Sequence, residues 1–220
     1  MKYQYLGLLS CFFFISCFFP STYHHPNYYY YYSETFNKRL DYEHKKYLLN
    51  PVNYKSNELT KGVYLPFINK FFKKKLGTNV IKKKDYKDDN GKLKIPFDIN
   101  YEISDSQIAF LKQNTSLNYI ILTKTLSLEQ LKNENLKRED KRRFSLASSG
   151  AMFLIKIIDI KTNTSLLEMS CAAAVIIHKN RLLELRTQND LIPPSQPIPF
   201  YKNSESLRKK TIKKLLKKIK

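Results

Sequence analysis

The succession of apolar and polar stretches along this chain predicts an α/β domain over residues 45–220. Apolar runs rich in β-branched and aromatic residues predict three early strands, at 45–54, 78–82 and 117–128. Between these runs, apolar residues recur every three or four positions, as they do in amphipathic helices. Strands that alternate with helices predict a single mixed sheet with helices packed on it.

The first helix is predicted between the first two strands, where Gly77 follows the last apolar position as a carboxy-terminal cap. Pro66 conflicts with an unbroken helix, so we expect a kink or a late start at that residue. A second helix is predicted to begin at Ser104, whose side chain can cap the first-turn amides. The apolar face of the first helix is formed by Leu59, Val63, Phe67, Phe71, Phe72 and Leu76.

Two long apolar runs at 151–160 and 165–178 predict a β-hairpin. The turn between them contains Asn163, a residue type that tolerates the left-handed backbone. Asp159 enters the turn, and we expect its carboxylate to accept local backbone amides rather than to act as a catalytic acid. The hairpin residues expected in the core are Met152, Leu154, Ile155, Ile157, Val175 and Ile176.

A charged excursion is predicted at 129–143, where nearly every residue is polar or charged. This composition is too polar for a core position. The sequence leaves two alternatives open, a solvated helix and a mobile connection between strands.

The chain ends in a predicted basic amphipathic helix at 204–220. Such a helix either docks on the domain or lies on an anionic membrane, and we expect docking because a terminal helix commonly completes a small α/β core. Its apolar side carries Ile212, Leu215, Leu216 and Ile219. The candidate contacts with an anionic surface are Lys213, Lys214, Lys217 and Lys218.

The amino terminus predicts export. One lysine precedes a short apolar run that stops at Cys17, which is typical of a secretory signal. Phe14-Ile15-Ser16-Cys17 resembles the lipobox of bacterial lipoproteins, in which the cysteine becomes the lipidated first residue. We therefore expect a signal peptide at 1–16 and a lipid on Cys17. An uncleaved anchor at 3–19 and an ordinary cleaved signal are the alternatives.

Residues 17–44 follow as a predicted tyrosine-rich tether between the lipid and the domain. Within it, residues 21–33 contain five consecutive tyrosines and no helical or strand period with a buried face. Adjacent His24 and His25 lack further spaced ligands, so neither a metal site nor a cofactor is predicted.

The formal net charge of +20 indicates attraction to anionic partners such as lipid headgroups, envelope polymers or nucleic acid. Most of the basic residues are lysine, whereas arginine is the residue that reads base edges, so no specific nucleic-acid recognition is predicted. A codon bias toward lysine explains the excess as well as selection does. The sequence leaves these two explanations open.

Motifs of nucleotide-binding, zinc-dependent, redox and serine-hydrolase enzymes are absent from the sequence, since it contains no G-x-x-x-x-G-K-[ST], H-E-x-x-H, C-x-x-C or G-x-S-x-G. Cys171 lies within an apolar run, where a buried structural thiol is expected rather than a nucleophile. These residues give no support for an enzyme of those classes. A secreted enzyme with an unfamiliar site is the remaining alternative.

Five stretches of the chain carry a resemblance to a known family. They are Tyr47–Tyr54, Leu59-Thr60 with the helix end Leu76-Gly77, Val80-Ile81, Leu117–Leu122, and Ile157–Asn163, in which Asn163 stands where the family has glycine. In their order they resemble the periplasmic α/β domain shared by the curli-secretion lipoprotein, the lipoprotein activators of penicillin-binding proteins and the amino-terminal domain of the Tol-system β-propeller protein.

The resemblance covers about residues 45–220 and implies a non-enzymatic lipoprotein that works through protein contacts. We accordingly expect an assembly module anchored in the outer membrane on its periplasmic side, with exposure at the cell surface as the alternative. Its expected partner is an envelope protein that the sequence does not name. The alternative function is a cationic binder of polyanions, namely lipopolysaccharide, acidic glycan or nucleic acid.

Overall fold

The computed structural model describes residues 22–33, 45–50, 61–133, 136, 138–177 and 199–219. Within these ranges the chain adopts the predicted mixed α/β fold, with helices on both faces of a six-stranded sheet. The predicted signal peptide, Cys17 and the proline-rich stretch before residue 199 lie outside the described residues.

The strands of the described residues form two sheets. They are β1 (Thr22–His24), β2 (Asn27–Tyr32), β3 (Tyr47–Leu49), β4 (Val80–Lys82), β5 (Tyr119–Ser127), β6 (Ser149–Asp159), β7 (Thr164–Val175) and β8 (Pro199–Tyr201). The main sheet has the order β2-β7-β6-β5-β3-β4, and β1 pairs with β8 in a separate parallel pair. In the main sheet β3 runs parallel to β4 and β5, while the other neighbours are antiparallel.

Helices cover both faces of the main sheet. They are α1 (Lys61–Leu76), α2 (Asp105–Asn114), α3 (Leu128–Asn133), α4 (Arg138–Ser145) and α5 (Ser204–Leu216). Side chains alternate between the faces along a strand, and here Ile155 and Ile157 meet α1 and α5 while Leu154 and Ile158 meet the opposite layer. The sheet is therefore the central layer of three.

The predicted hairpin is confirmed by the antiparallel pairing of β6 and β7. Asn163 adopts a left-handed backbone with φ of 54° at the turn, as its residue type allows. The Asp159 Oδ1 atom accepts hydrogen bonds from the Lys161 amide at 2.8 Å and the Thr162 amide at 3.2 Å. This carboxylate closes the turn, which confirms the structural role expected for it.

The predicted first helix is present, but a late start at Pro66 is wrong. Helix α1 already contains residue 61, and Pro66 lies in its second turn with an exposed ring. Proline removes a single intrahelical amide there. The predicted apolar face is wrong at Phe67, which is 38% exposed, because the helix packs on the core through Tyr64, Ile68 and Phe72. Gly77 follows with φ of 59°, the conformation expected of a carboxy-terminal cap.

The second predicted helix begins as expected. Ser104 is the amino-terminal cap of α2, and its Oγ accepts a hydrogen bond from the Gln107 amide at 3.3 Å. The Gln107 side chain accepts in return from the Ser104 amide at 3.3 Å, which completes a capping box.

The prediction that residues 21–33 lack a strand with a buried face is wrong for the tyrosine run. Strand β2 is the edge strand of the main sheet and pairs antiparallel with β7, so Tyr30 lies opposite Cys171. Tyr28 and Tyr30 pack on the core beneath α5, while Tyr29 and Tyr31 pack on the other side. Tyrosine has an apolar ring and a polar tip, so a run of tyrosines can be half-buried on both faces of an edge.

The charged excursion is helical, which is the first of the two alternatives. Helices α3 and α4 cover its described part apart from residue 136. Leu131 and the adjoining Phe144 are buried against Met152 of β6, so the prediction that the whole segment is too polar for the core is wrong at Leu131. Leu128 at the start of α3 also packs against this cluster.

The carboxy-terminal helix docks on the sheet, as predicted. The core that α1 shares with β6 and β7 includes Ile212, Leu215, Leu216 and, just beyond the helix, Ile219. Leu207 packs in a separate cluster with Ala151, Ala173 and Val175.

Candidate anion-binding face

Helices α1 and α5 bury their apolar sides and therefore turn their lysines outward together. The buried positions of α1 recur every four residues at Tyr64, Ile68, Phe72 and Leu76. Helix α1 contains no acidic residue, and α5 has only Glu205 in its first turn. The ten exposed lysines of this layer are called the lysine face, and they are Lys70, Lys73, Lys74, Lys75, Lys209, Lys210, Lys213, Lys214, Lys217 and Lys218.

Aromatic rings position several of these ammonium groups. The Lys214 Nζ atom lies 4.4 Å from the centroid of the Tyr28 ring, and the Lys218 Nζ atom lies 5.6 Å from that of Tyr30. The electron-rich face of an aromatic ring attracts a cation at such distances. Edge strand β2 therefore supplies a row of rings that hold the lysines of α5 along one side of the face.

All four lysines that the sequence singles out lie on this face. Lys213 places its Nζ atom 5.5 Å from the centroid of the Phe67 ring on α1. Lys217 is exposed in the turn that ends α5. The structure thus brings Lys213, Lys214, Lys217 and Lys218 together with lysines of a second helix.

The opposite layer carries charges of both signs. Lys83 pairs with Asp98 at 2.8 Å, and Lys156 lies 3.2 Å from Glu102 and 3.5 Å from Glu168. Ion pairing with Lys83 lowers the pKa of Asp98. The lysines around these carboxylates are thus locally neutralised, whereas those of the lysine face stand among other cations.

A cleft lined by charges of both signs lies between α4 and β2. Contacts within it join these two elements. The Tyr31 hydroxyl donates to Asp140 Oδ1 at 2.6 Å, and Arg143 forms a short ion pair with the same oxygen. The Arg143 guanidinium also lies 3.8 Å from the centroid of the Tyr29 ring. Because these charges already pair with each other, we interpret the cluster as structural.

Cys171 lies in surroundings that disfavour its thiolate. It is fully buried in β7 beneath Tyr30, and burial raises its pKa to about 12 despite the opposing charge of Lys214. The thiolate is the nucleophilic form of cysteine, and a raised pKa keeps the side chain in the neutral thiol form. The structure therefore supports the structural role expected from the sequence.

Sequence reasoning missed the contribution of α1 and β2 to the lysine face. The signal from α1 is visible in the run Lys70-Phe71-Phe72-Lys73-Lys74-Lys75, where basic residues stand on both sides of two aromatic residues. The signal from β2 was hidden, because the ring partners of Lys214 and Lys218 lie nearly 190 residues away in the chain.

The described residues contain neither a candidate membrane span nor a candidate metal site. None of their helices has the length and apolar character required to cross a bilayer. They also contain no group of three or more His, Cys, Asp or Glu side chains placed to hold a metal ion. Cys17 lies outside the described residues, so its lipidation stays a prediction.

Comparison with known proteins gives little guidance. No protein-family model and no curated protein matches the sequence. Among solved structures, the dodecamer of a PelC point variant from Paraburkholderia phytofirmans is similar at a TM-score of 0.36 and 6% identity, covering 74% of this chain and 91% of that one. A likeness of this strength carries no argument about function.

Proposed function

We propose that this chain is a lipid-anchored, non-enzymatic module of the cell envelope that binds polyanions through the lysine face. The observation that carries the proposal is the separation of charge: ten exposed lysines cover the α1 and α5 layer, with Glu205 the one acidic residue in these two helices. A codon bias would scatter lysines over every exposed surface, and exposed lysines do occur outside the lysine face, at Lys92, Lys112, Lys132 and Lys141 among others. What favours a selected surface is that Glu205 is the one carboxylate among the lysines of α1 and α5, whereas carboxylates are interspersed in the opposite layer.

The spacing of the lysines on α5 supports the proposal energetically. Lys209, Lys213 and Lys217 are each four residues apart, and so are Lys210, Lys214 and Lys218. Like charges at this spacing face each other on a helix and destabilise it by about 0.2–0.5 kcal/mol per pair. The favourable interaction of the last lysines with the helix dipole offsets part of this cost. A bound polyanion would relieve the repulsion.

The anchoring part of the proposal rests on the sequence. The lipobox-like stretch ending at Cys17 supports a lipid anchor, and the family resemblance supports a periplasmic module without catalytic residues. A tethered domain stays within reach of the anionic polymers and headgroups of the envelope. Weak Coulombic contacts at many lysines are then sufficient for retention.

The test is the salt dependence of binding to a soluble polyanion. We expect the full chain to bind dextran sulfate, with the logarithm of the association constant falling linearly as the logarithm of the NaCl concentration rises. We also expect dextran sulfate to raise the melting temperature, because a ligand that binds the folded state stabilises it. Salt-independent binding, or no binding at low salt, would contradict the proposal.

The edge of β2 favours a second candidate, a protein-interaction module. The Ser33 amide bonds to the Glu168 carbonyl at 2.9 Å, and hydrogen-bonded pairs alternate along an antiparallel ladder. The backbone groups of Tyr28 and Tyr30 therefore point away from β7. A partner strand could add to the sheet at this edge.

A photo-crosslinking residue separates this candidate from the first. Placed at Tyr32, which is 44% exposed at the end of β2, it is expected to give a discrete adduct with one envelope protein. The control position is Leu146, which is 59% exposed beyond α4. Equal adducts at both positions, or none at Tyr32, would exclude β2 as a protein-binding edge.

A further inference from the structure

An apolar groove opens within the lysine face, between α1 and α5. Its volume is about 300 Å³, and its lining is Tyr64, Pro66, Phe67, Lys70, Lys209 and Ile212. Phe67 is 38% exposed. The ammonium of Lys213 lies 5.5 Å from the centroid of the Phe67 ring, so cations flank the ring on both helices.

Although Lys213 contacts the Phe67 ring, 38% of this side chain stays exposed to water, and covering it with an apolar phase would add favourable burial. Sulfate, phosphate and carboxylate groups of a soluble polymer pair with ammonium groups and leave the ring in water. A bilayer surface offers both kinds of contact, because headgroup phosphates lie directly above the acyl chains. Aromatic side chains favour that boundary, and lysines next to it are attracted to anionic lipid.

We propose that the lysine face docks on an anionic bilayer, with Phe67 inserted at the boundary between headgroups and acyl chains. Lys70, Lys209 and Lys213 then contact the phosphates around the inserted ring. The inference rests on the proposed function and names its polyanion as the phosphate groups of lipid. Charge complementarity and the flanked apolar groove are the two observations that select this occupant.

Docking would complement the predicted anchor at Cys17. A lipid chain holds a protein at the membrane but leaves its domain free to rotate, whereas a second contact through a basic patch fixes the orientation. The edge of β2 and the mixed-charge layer would then stay accessible to envelope partners.

Phe67→Trp provides a direct probe, because the chain contains no tryptophan. The full chain carrying this change is mixed with phosphatidylcholine vesicles that contain phosphatidylglycerol. We expect a blue shift of its emission and quenching when the acyl chains are brominated near the headgroup. Dextran sulfate should bind the same variant without shifting its emission, because no apolar phase reaches residue 67.

Leu146→Trp is the matched control, since this exposed apolar residue lies by α4 in the opposite layer. Its emission should not shift on anionic vesicles. The apolar amino-terminal run is common to both variants and therefore does not affect the comparison. As a second measurement, Phe67→Ser should weaken co-sedimentation with anionic vesicles several-fold and leave dextran sulfate binding unchanged.

The outcomes separate this inference from the proposed function. Dextran sulfate binding without a vesicle-induced shift at residue 67 would overturn insertion and leave the polyanion-binding proposal intact. An equal shift for Leu146→Trp would show that another face meets the bilayer and would also overturn it. Failure to bind either dextran sulfate or vesicles would overturn both proposals.

Discussion

Lys214 and Lys218 stand one helical turn apart, and each places its ammonium over a tyrosine of the neighbouring edge strand. Contacts of this kind stabilise an exposed pair by about 0.5–1 kcal/mol. These contacts also restrict the conformations of the two lysine side chains. A lysine whose stem already lies along a ring loses less rotamer freedom when its charge meets a ligand. At the residue scale, the tyrosines of β2 therefore prepare the lysines of α5 for binding.

Tyr31→Phe tests whether β2 is held by its contact with α4. The change removes a hydroxyl that donates to Asp140 at 2.6 Å and keeps the ring. We expect unfolding free energy to fall by about 1–2 kcal/mol, because a hydrogen bond to a charged group is lost. Denaturant unfolding provides the measurement, with Tyr23→Phe at a 44% exposed position as the control. Equal stability of wild type and Tyr31→Phe would show that the contact is incidental.

Cys171 should be unreactive in the folded protein. Burial raises its pKa to about 12, so at pH 8 the thiolate fraction is on the order of one in ten thousand. Iodoacetamide labelling at pH 8, read for this residue by peptide mass spectrometry, should stay low until denaturant is added. Because the folded pKa lies above the pKa of a free thiol, the labelling rate should rise about tenfold per pH unit yet stay far below that of the denatured protein. Rapid labelling at pH 8 would contradict the burial.

Residue-scale features with local partners are the ones that the sequence predicts correctly. The Ser104 cap, the Asp159 turn contacts and the left-handed Asn163 each depend on groups within three residues. The cation–π pairs of Lys214 and Lys218 depend on the distant β2. No local pattern encodes such a pair, so the candidate lysines were found without the rings that position them.

Strand β2 and helix α5 illustrate what a hydrophobic pattern predicts about whole elements. The four-residue spacing of apolar positions on α5 predicts both that the segment is helical and which of its sides packs on the sheet. Ile212 and Leu216 on that side are buried. The tyrosine run of β2 has no alternation, because both of its faces are half-buried by the same residue type. Periodicity cannot identify such a strand, and its place at the sheet edge follows only from pairing with β7.

Leu215→Ser combined with Leu216→Ser should destabilise the protein strongly. Both side chains are buried between α5 and the sheet. Each loss is expected to lower the free energy of unfolding by about 2 kcal/mol or more. Thermal melting of the full chain is the measurement, with Lys213→Gln combined with Lys217→Gln as the exposed control on the same helix. A double leucine variant that melts with wild type would show that α5 is not docked.

At the scale of the whole molecule, the fold places lysines in two layers that differ in charge. The α1 and α5 layer carries one acidic residue in its helices, whereas the opposite layer carries charges of both signs. The net charge of +20 follows from composition, and so does attraction to anions. Which surface carries the attraction does not follow from composition, because it requires α1 and α5 to pack side by side on one face of the sheet. The sequence offered polyanions only as the alternative to an envelope protein partner, and it singled out four of the lysines. It predicted α1 as a helix but did not anticipate that α1 adds lysines to this face or that Phe67 is exposed there.

The central claim is that polyanions bind the lysine face rather than the lysine excess in general, and two charge-matched variants test it most directly. The first variant changes Lys213, Lys214, Lys217 and Lys218 to glutamine. The second variant makes the same change at four exposed lysines outside the face, which are Lys92, Lys112, Lys132 and Lys141. Both lose the same charge, and thermal melts first establish that both are folded. Binding to dextran sulfate is then measured from low to physiological salt.

The account predicts that the first variant loses roughly tenfold or more in affinity and has a shallower salt dependence, since each contacting lysine contributes to the slope. The second variant should bind nearly as wild type does. Equal losses in the two variants would contradict the account, because they would show that the charge acts diffusely over the whole surface.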